Sequence, residues 1–157
     1  MPGKGVRKAQ VYNQRLRTTP IECVVLTAFD CEFAFLRNIC GRVGIRLHHA
    51  STLEQADFLL MATEAGVLVS DAAGVDCSWR GALDLIGARY PLVAMLVVAD
   101  PLDAPFVEDA CRLGVCGVLW KPVRLDAASR LIRTAYQAWE DRLLLREESG
   151  IAACPGR

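Results

Sequence analysis

Five short apolar runs, each followed by a stretch of helical periodicity, alternate without a break from Ile21 to about Ala135, and this alternation narrows the possible folds more than any other feature. "IECVVLTA" is β-branched and ends in small residues, as a buried strand does. "IRLHHA", "GVLVSD", "LVAMLVVA" and "GVLW" are the next four strand candidates. The run Leu92 to Ala99 shows no polar alternation, which requires cover on both faces of the sheet. Between the runs, Phe33, Leu36, Cys40 and Val43 stand at three- and four-residue spacings and stop at Gly44. Ser51 and Glu54 offer a capping box for a second helix through Leu59 and Leu60. Trp79, Leu83, Ile86 and Tyr90 form a third stripe ending before Pro91; Phe106, Ala110 and Leu113 form a fourth. The last helix starts near Leu125 and runs through Leu131, Ile132 and Ala135.

Strands alternating with helices of this length imply right-handed crossovers and a parallel sheet covered on both faces. The expected fold is α/β: a doubly wound five-stranded parallel sheet, flavodoxin-like, in the order 2-1-3-4-5. The expected organisation is a flexible basic arm over 1–20, one domain over 21–137, and a helical extension and tail over 138–157. The arm holds Lys4, Arg7, Lys8, Arg15 and Arg17 and no acid, and nothing before Ile21 supplies the apolar core of a secretory signal. The longest apolar run falls far short of the ~20 residues of a membrane helix, so a cytoplasmic protein without membrane contact is expected. Net charge is zero, so no global field favours nucleic acid, and any such partner would have to be held by local charge. The seven cysteines include no Cys-x-x-Cys pair, and most read as small core hydrophobes, with Cys111 and Cys116 the pair to weigh for metal or redox chemistry. His48 and His49 lie on one strand with no ligand-spaced partner and read as structural.

In open α/β sheets ligands bind beyond the carboxyl ends of the strands. Those ends here are Thr27 to Asp30, Ser70 and Asp71, Val98 to Asp100, and Lys121 before Pro122. The strand order would set Asp71 and Lys121 facing one another across the rim. This arrangement resembles the receiver domains of two-component response regulators over about Glu22 to Ala135. "DAPFVEDACRLGVCGVLWKP" is similar to the fourth helix, fifth strand and lysine-proline signature of a receiver, and "GVLVSD" to the strand carrying the phosphoacceptor. The resemblance implies that Asp71 is the acceptor position, that Lys121 contacts the phosphate, and that the Lys121–Pro122 peptide is cis.

The chain also departs from the family. Receivers hold Mg²⁺ with an acid pair at the end of strand one, where Thr27 and Ala28 stand here; Asp30, a few residues on, is the possible acidic partner for Asp71. Val98 replaces the hydroxyl that reads the phosphate, and Val118 the aromatic switch residue. The expectation is a degenerate receiver, a regulatory binding module and not an enzyme, needing no cofactor and signalling by protein contact without phosphorylation. Its partner would be a histidine kinase or a downstream regulator. Two rivals stand: a working receiver phosphorylated on Asp71 by a histidine kinase with Mg²⁺, and a nucleic-acid effector using the basic arm. Ile132, Tyr136, Trp139 and Leu143 are spaced four, three and four, a possible short coiled-coil seam, and make the last helix the expected homodimer or partner interface.

Overall fold

The computed structural model describes residues 20–72 and 79–152, with side chains to 149. The elements are β1 (Ile21–Leu26), α1 (Asp30–Cys40), β2 (Ile45–Ala50), α2 (Leu53–Thr63), β3 (Val67–Asp71), α3 (Trp79–Arg89), β4 (Ala94–Ala99), α4 (Ala104–Arg112), β5 (Gly117–Trp120) and α5 (Leu125–Ala152). Short 3₁₀ turns at Gly41–Val43 and Pro101–Asp103 follow α1 and precede α4. All strand pairs are parallel and the order is β2-β1-β3-β4-β5, as the alternation requires. The basic arm, apart from Pro20, lies outside the described residues, as do Cys77 and Cys154. Among the described residues no helix is long and apolar enough to cross a membrane.

Alternation along the strands divides the core into two layers. Leu68, Met95 and Val97 face α2, α3 and α4, while Val67, Val69, Leu96 and Val98 face α1 and α5. β3 and β4 are buried along their whole length, which accounts for their lack of polar positions. Gly44 ends the first crossover at φ 78°, a left-handed conformation that costs glycine nothing. The α2 cap is shifted from the expected position: Thr52, not Ser51, is the N-cap and accepts from the Gln55 amide, while the Gln55 side chain accepts from the Ser51 amide. The cap thus sits one residue later than the Ser51 and Glu54 spacing suggested, with the Gln55 side chain reaching past it to the Ser51 amide.

α5 corrects a larger expectation. Ile132 is 1% exposed, and Tyr136 packs on the α1/α5 layer. Trp139 turns under the amino edge of the sheet, joins the opposite core layer and lies against Gly66 so closely that a Cβ there would fall 2.5 Å from the indole Cδ2. The Tyr136 and Trp139 rings meet at 5.3 Å. Leu143, one turn further, is half-buried. Ile132 is therefore a core residue, and the part-buried Trp139 is committed in part to this fold's own packing, because the helix lies along the sheet edge for longer than its spacing alone reveals. The cysteines also divide differently from the expectation. Cys23 and Cys40 are core thiols, and burial raises both, Cys40 to about 11. Cys31, Cys111 and Cys116 are exposed.

Candidate functional site at the strand carboxyl ends

Asp71 closes β3 opposite Val98 of β4 and is 2% exposed. Lys121 comes directly after β5 and its amide donates to the Ala99 carbonyl, which fixes the start of its side chain at the same rim. The Lys121–Pro122 peptide is cis. Thr27 comes directly after β1, its amide bonded to Ala50, and its buried hydroxyl lies 3.4 Å from Asp71 Oδ2. The strand order brings these three together. The fourth member comes from a helix: Glu32, in the first turn of α1, accepts from Thr27 Oγ1 at 3.1 Å and holds Lys121 Nζ at 2.8 Å. Lys121 Nζ lies farther from Asp71 Oδ1, at 3.8 Å.

Glu32 thus stands where Asp30 was expected. The Asp30 side chain is 94% exposed and points to His49 Nδ1 at 3.8 Å. Residues two apart on a helix differ by about 200° in direction, so only one of the pair can enter the site. Glu32, Leu36 and Cys40 succeed one another at four-residue steps, and Leu36 and Cys40 are the buried residues of α1. That stripe is the sequence signal that would have found Glu32: an acid on the apolar face of the first helix is aimed at the sheet.

The neighbours hold α1 in this setting. His49 Nε2 bonds the Thr27 carbonyl at 2.9 Å, and its ring stacks on Phe33 at 4.5 Å. The Phe29 amide donates to Thr27 Oγ1 at 3.1 Å, which tightens the turn into the helix. His48, on the other face of β2, pairs with Glu22 across the strands at 2.5 Å. Both histidines have structural partners, as their positions suggested.

The electrostatics arise from this packing. Burial pushes the Glu32 carboxyl upward, but hydrogen bonding to Asp71, Lys121 and Thr27 and the attraction of Lys121 outweigh it and hold the group below its ordinary 4.5. Burial likewise works against the Lys121 ammonium. Its bond to Glu32 and the fields of Asp71, Glu32 and Asp103 win, and Lys121 stays above its ordinary 10.5.

Mg²⁺ asks for near-octahedral oxygen ligands, with one or two carboxylates and several waters. Glu32 and Asp71 supply two carboxylates at this rim, and both face the Lys121 ammonium, at 2.8 Å and 3.8 Å. Val98 is buried beside Asp71, and Val118 packs on the α2/α3/α4 layer, so neither offers a hydroxyl or a ring to the site. Trp120, the next aromatic along β5, is 45% exposed at the rim.

No family model matches the chain, and no curated protein matches it. Solved structures do. The signal receiver domain of an HD domain-containing protein from Pseudomonas fluorescens superposes with a TM-score of 0.71 at 20% identity, covering 80% of this chain and 93% of that one. A response regulator receiver domain protein from Clostridium thermocellum gives 0.69 at 18%, covering 78% and 98%. Full-length FixJ from B. japonicum gives 0.69 at 21%, covering 78% of this chain and 61% of that one. At such identities the likeness is one of fold: the chain has the flavodoxin-like architecture found in receiver domains.

Proposed function

We propose that the chain is a receiver-type signalling module that works through protein contact and does not use phosphorylation of Asp71. The observation that supports this most is the engagement of Lys121 by Glu32 at 2.8 Å while Asp71, 2% exposed, lies 3.8 Å from the same ammonium. A phosphoryl group arriving on Asp71 would need the cation that Glu32 already holds, and would bring further negative charge against a second carboxylate. Transfer of a phosphoryl group depends on positioned cations that neutralise its oxygens. Here the nearest cation is committed to an internal acid. The receiver-like fold supports a partner of the signalling class, a kinase or a downstream regulator, reached through the protein's surface.

The test is incubation of the protein with acetyl phosphate and Mg²⁺, and then intact mass under conditions that preserve acyl phosphates. The parent is expected to show no phosphorylated species. Stoichiometric labelling that disappears in Asp71→Asn would overturn the reading and restore the phosphoacceptor alternative.

A further inference from the structure

An open sheet has two edges, and here they are built differently. β5 has four residues and runs at once into Lys121 and Pro122, so it offers little length to another strand. β2 has six, paired with β1 in unbroken parallel register, with no proline and no bulge. Its outer side meets no strand. The Ile21 amide donates to the Gly44 carbonyl and the Thr27 amide to that of Ala50, which fixes the phase of the ladder. Successive residues of a strand turn their backbone groups to opposite sides, so Arg46 and His48 address β1 while Ile45, Leu47 and His49 face outward. Among the described residues, no hydrogen bond beyond the β1–β2 ladder uses those outward groups. An open groove of about 630 Å³ runs along this edge, lined by Ile45, Leu47 and His49 with Phe33 of α1 and Leu59 of α2 among others. Its walls therefore come from both helical layers, with the strand between them. Phe58, beside Leu59 on α2, is 63% exposed. Free charges often guard such an edge. Arg46 and His48 are instead both drawn back onto Glu22 of β1, at 3.0 Å and 2.5 Å.

Water can satisfy bare amides, so the backbone alone does not choose an occupant. The side chains do, because the strand is complementary to itself. An antiparallel two-fold centred on Leu47 sets Leu47 opposite Leu47 of the second copy and Ile45 opposite His49 of the second copy, each pair exchanging both of its hydrogen bonds. Ile45 and Leu47 belong to the α1 side of the sheet, and the Phe33 ring already stacks on His49 there, so this row meets as an apolar seam. On the α2 side, Arg46 comes opposite His48 of the second copy, and each copy brings the Glu22 that holds both. Centring the pair on Arg46 would place two guanidinium groups directly opposite and leave His49 beyond the partner strand. Centring it on His48 would oppose two imidazoles and move Ile45 out of register. The Leu47 register alone uses every outward group and keeps like residues of the polar row apart. We infer that β2 pairs antiparallel with β2 of a second copy, joining the two five-stranded sheets into one across a two-fold axis.

The test is amide hydrogen exchange by NMR on the full chain at two concentrations about a hundredfold apart, with sedimentation velocity on the same samples. In the dilute sample the Arg46 and His48 amides, bonded to β1, are expected to be protected and those of Leu47 and His49 open. The concentrated sample is expected to sediment as a dimer and to protect Leu47 and His49 as well. Leu47→Lys sets like charges opposite one another at the axis and is expected to weaken dimerisation by about tenfold or more. Leu47→Pro removes the outward donor without touching a bond to β1 and is expected to act in the same direction. Circular dichroism checks that both variants fold, and if the proline variant does not, the lysine variant and the exchange pattern decide. Phe106→Lys on α4 and Leu145→Lys on α5, at exposed apolar side chains away from β2, are expected to dimerise like the parent. A chain that stays monomeric at both concentrations overturns the inference. So does a dimer that gains no protection at Leu47 and His49, or one that survives Leu47→Lys and is broken by Phe106→Lys or Leu145→Lys.

Discussion

Lys121→Met removes the cation between Glu32 and Asp71 and keeps most of the aliphatic stem, so it isolates the charge. Nζ lies 2.8 Å from one carboxylate and 3.8 Å from the other. At an effective dielectric constant of about 20, each contact is worth roughly 4–6 kcal/mol of attraction. Desolvation cancels much of this, and the Lys121 side chain is 32% exposed, which screens more. A net loss of about 2–4 kcal/mol at neutral pH is expected, reaching only into the lower part of the range for removing one partner of a fully buried pair. The pH dependence is the sharper test. In the parent, the depressed Glu32 contributes stability that is present above its ordinary 4.5 and lost as pH falls through its folded value. The raised Lys121 contributes stability that is present below its ordinary 10.5 and lost as pH rises through its folded value. Without the ammonium, two carboxyl groups share a site and hold a proton more tightly. The gap between parent and variant should therefore be smallest below pH 4.5, where the carboxyl groups are protonated, and grow as pH rises through the carboxyl range. Urea unfolding of both proteins across that range measures it. A gap that is constant with pH, or that shrinks as pH rises, would refute the reasoning.

Gly66→Ala should drive its Cβ into the Trp139 ring, with Cδ2 at 2.5 Å and Cε3 at 2.6 Å, and is expected to cost about 1–3 kcal/mol with a shift in tryptophan emission. Gly41→Ala, where a Cβ meets nothing within 4 Å, is the matched control and should be neutral or slightly stabilising. Tyr90→Phe removes the phenol that donates to Asp57 Oδ1 at 2.6 Å and ties the end of α3 to α2; a loss of about 1 kcal/mol in urea unfolding is expected. Millimolar Mg²⁺ is expected to leave the parent's melting temperature unchanged, because the two site carboxylates already face Lys121. Saturable stabilisation that is lost in Asp71→Ala would count against this.

The sequence by itself determined the architecture. Unbroken runs such as "LVAMLVVA" read as strands covered on both faces, and strands alternating with helices of this length imply a parallel sheet with right-handed crossovers. That order already places Asp71 and Lys121 at one rim, since both are fixed by the ends of strands whose neighbours the topology sets. The chain beyond a strand end is less constrained. Glu32 enters the site and Asp30 leaves it because α1 is rotated about its axis by Leu36 and Cys40 docking on the sheet and by His49 stacked on Phe33. That rotation is a property of packing between layers, and periodicity names the stripe without saying which charge rides at its end. The fate of Trp139 was decided in the same way. An apolar stripe beyond the last strand reads equally well as an interface or as core, and only the space beneath Gly66, left by a missing side chain on another element, draws Trp139 onto the core. Local pattern fixes each element because its hydrogen bonds and apolar face are internal to it. Side-chain partners across elements depend on how helices rotate and how far they reach, and those are set by the whole core at once.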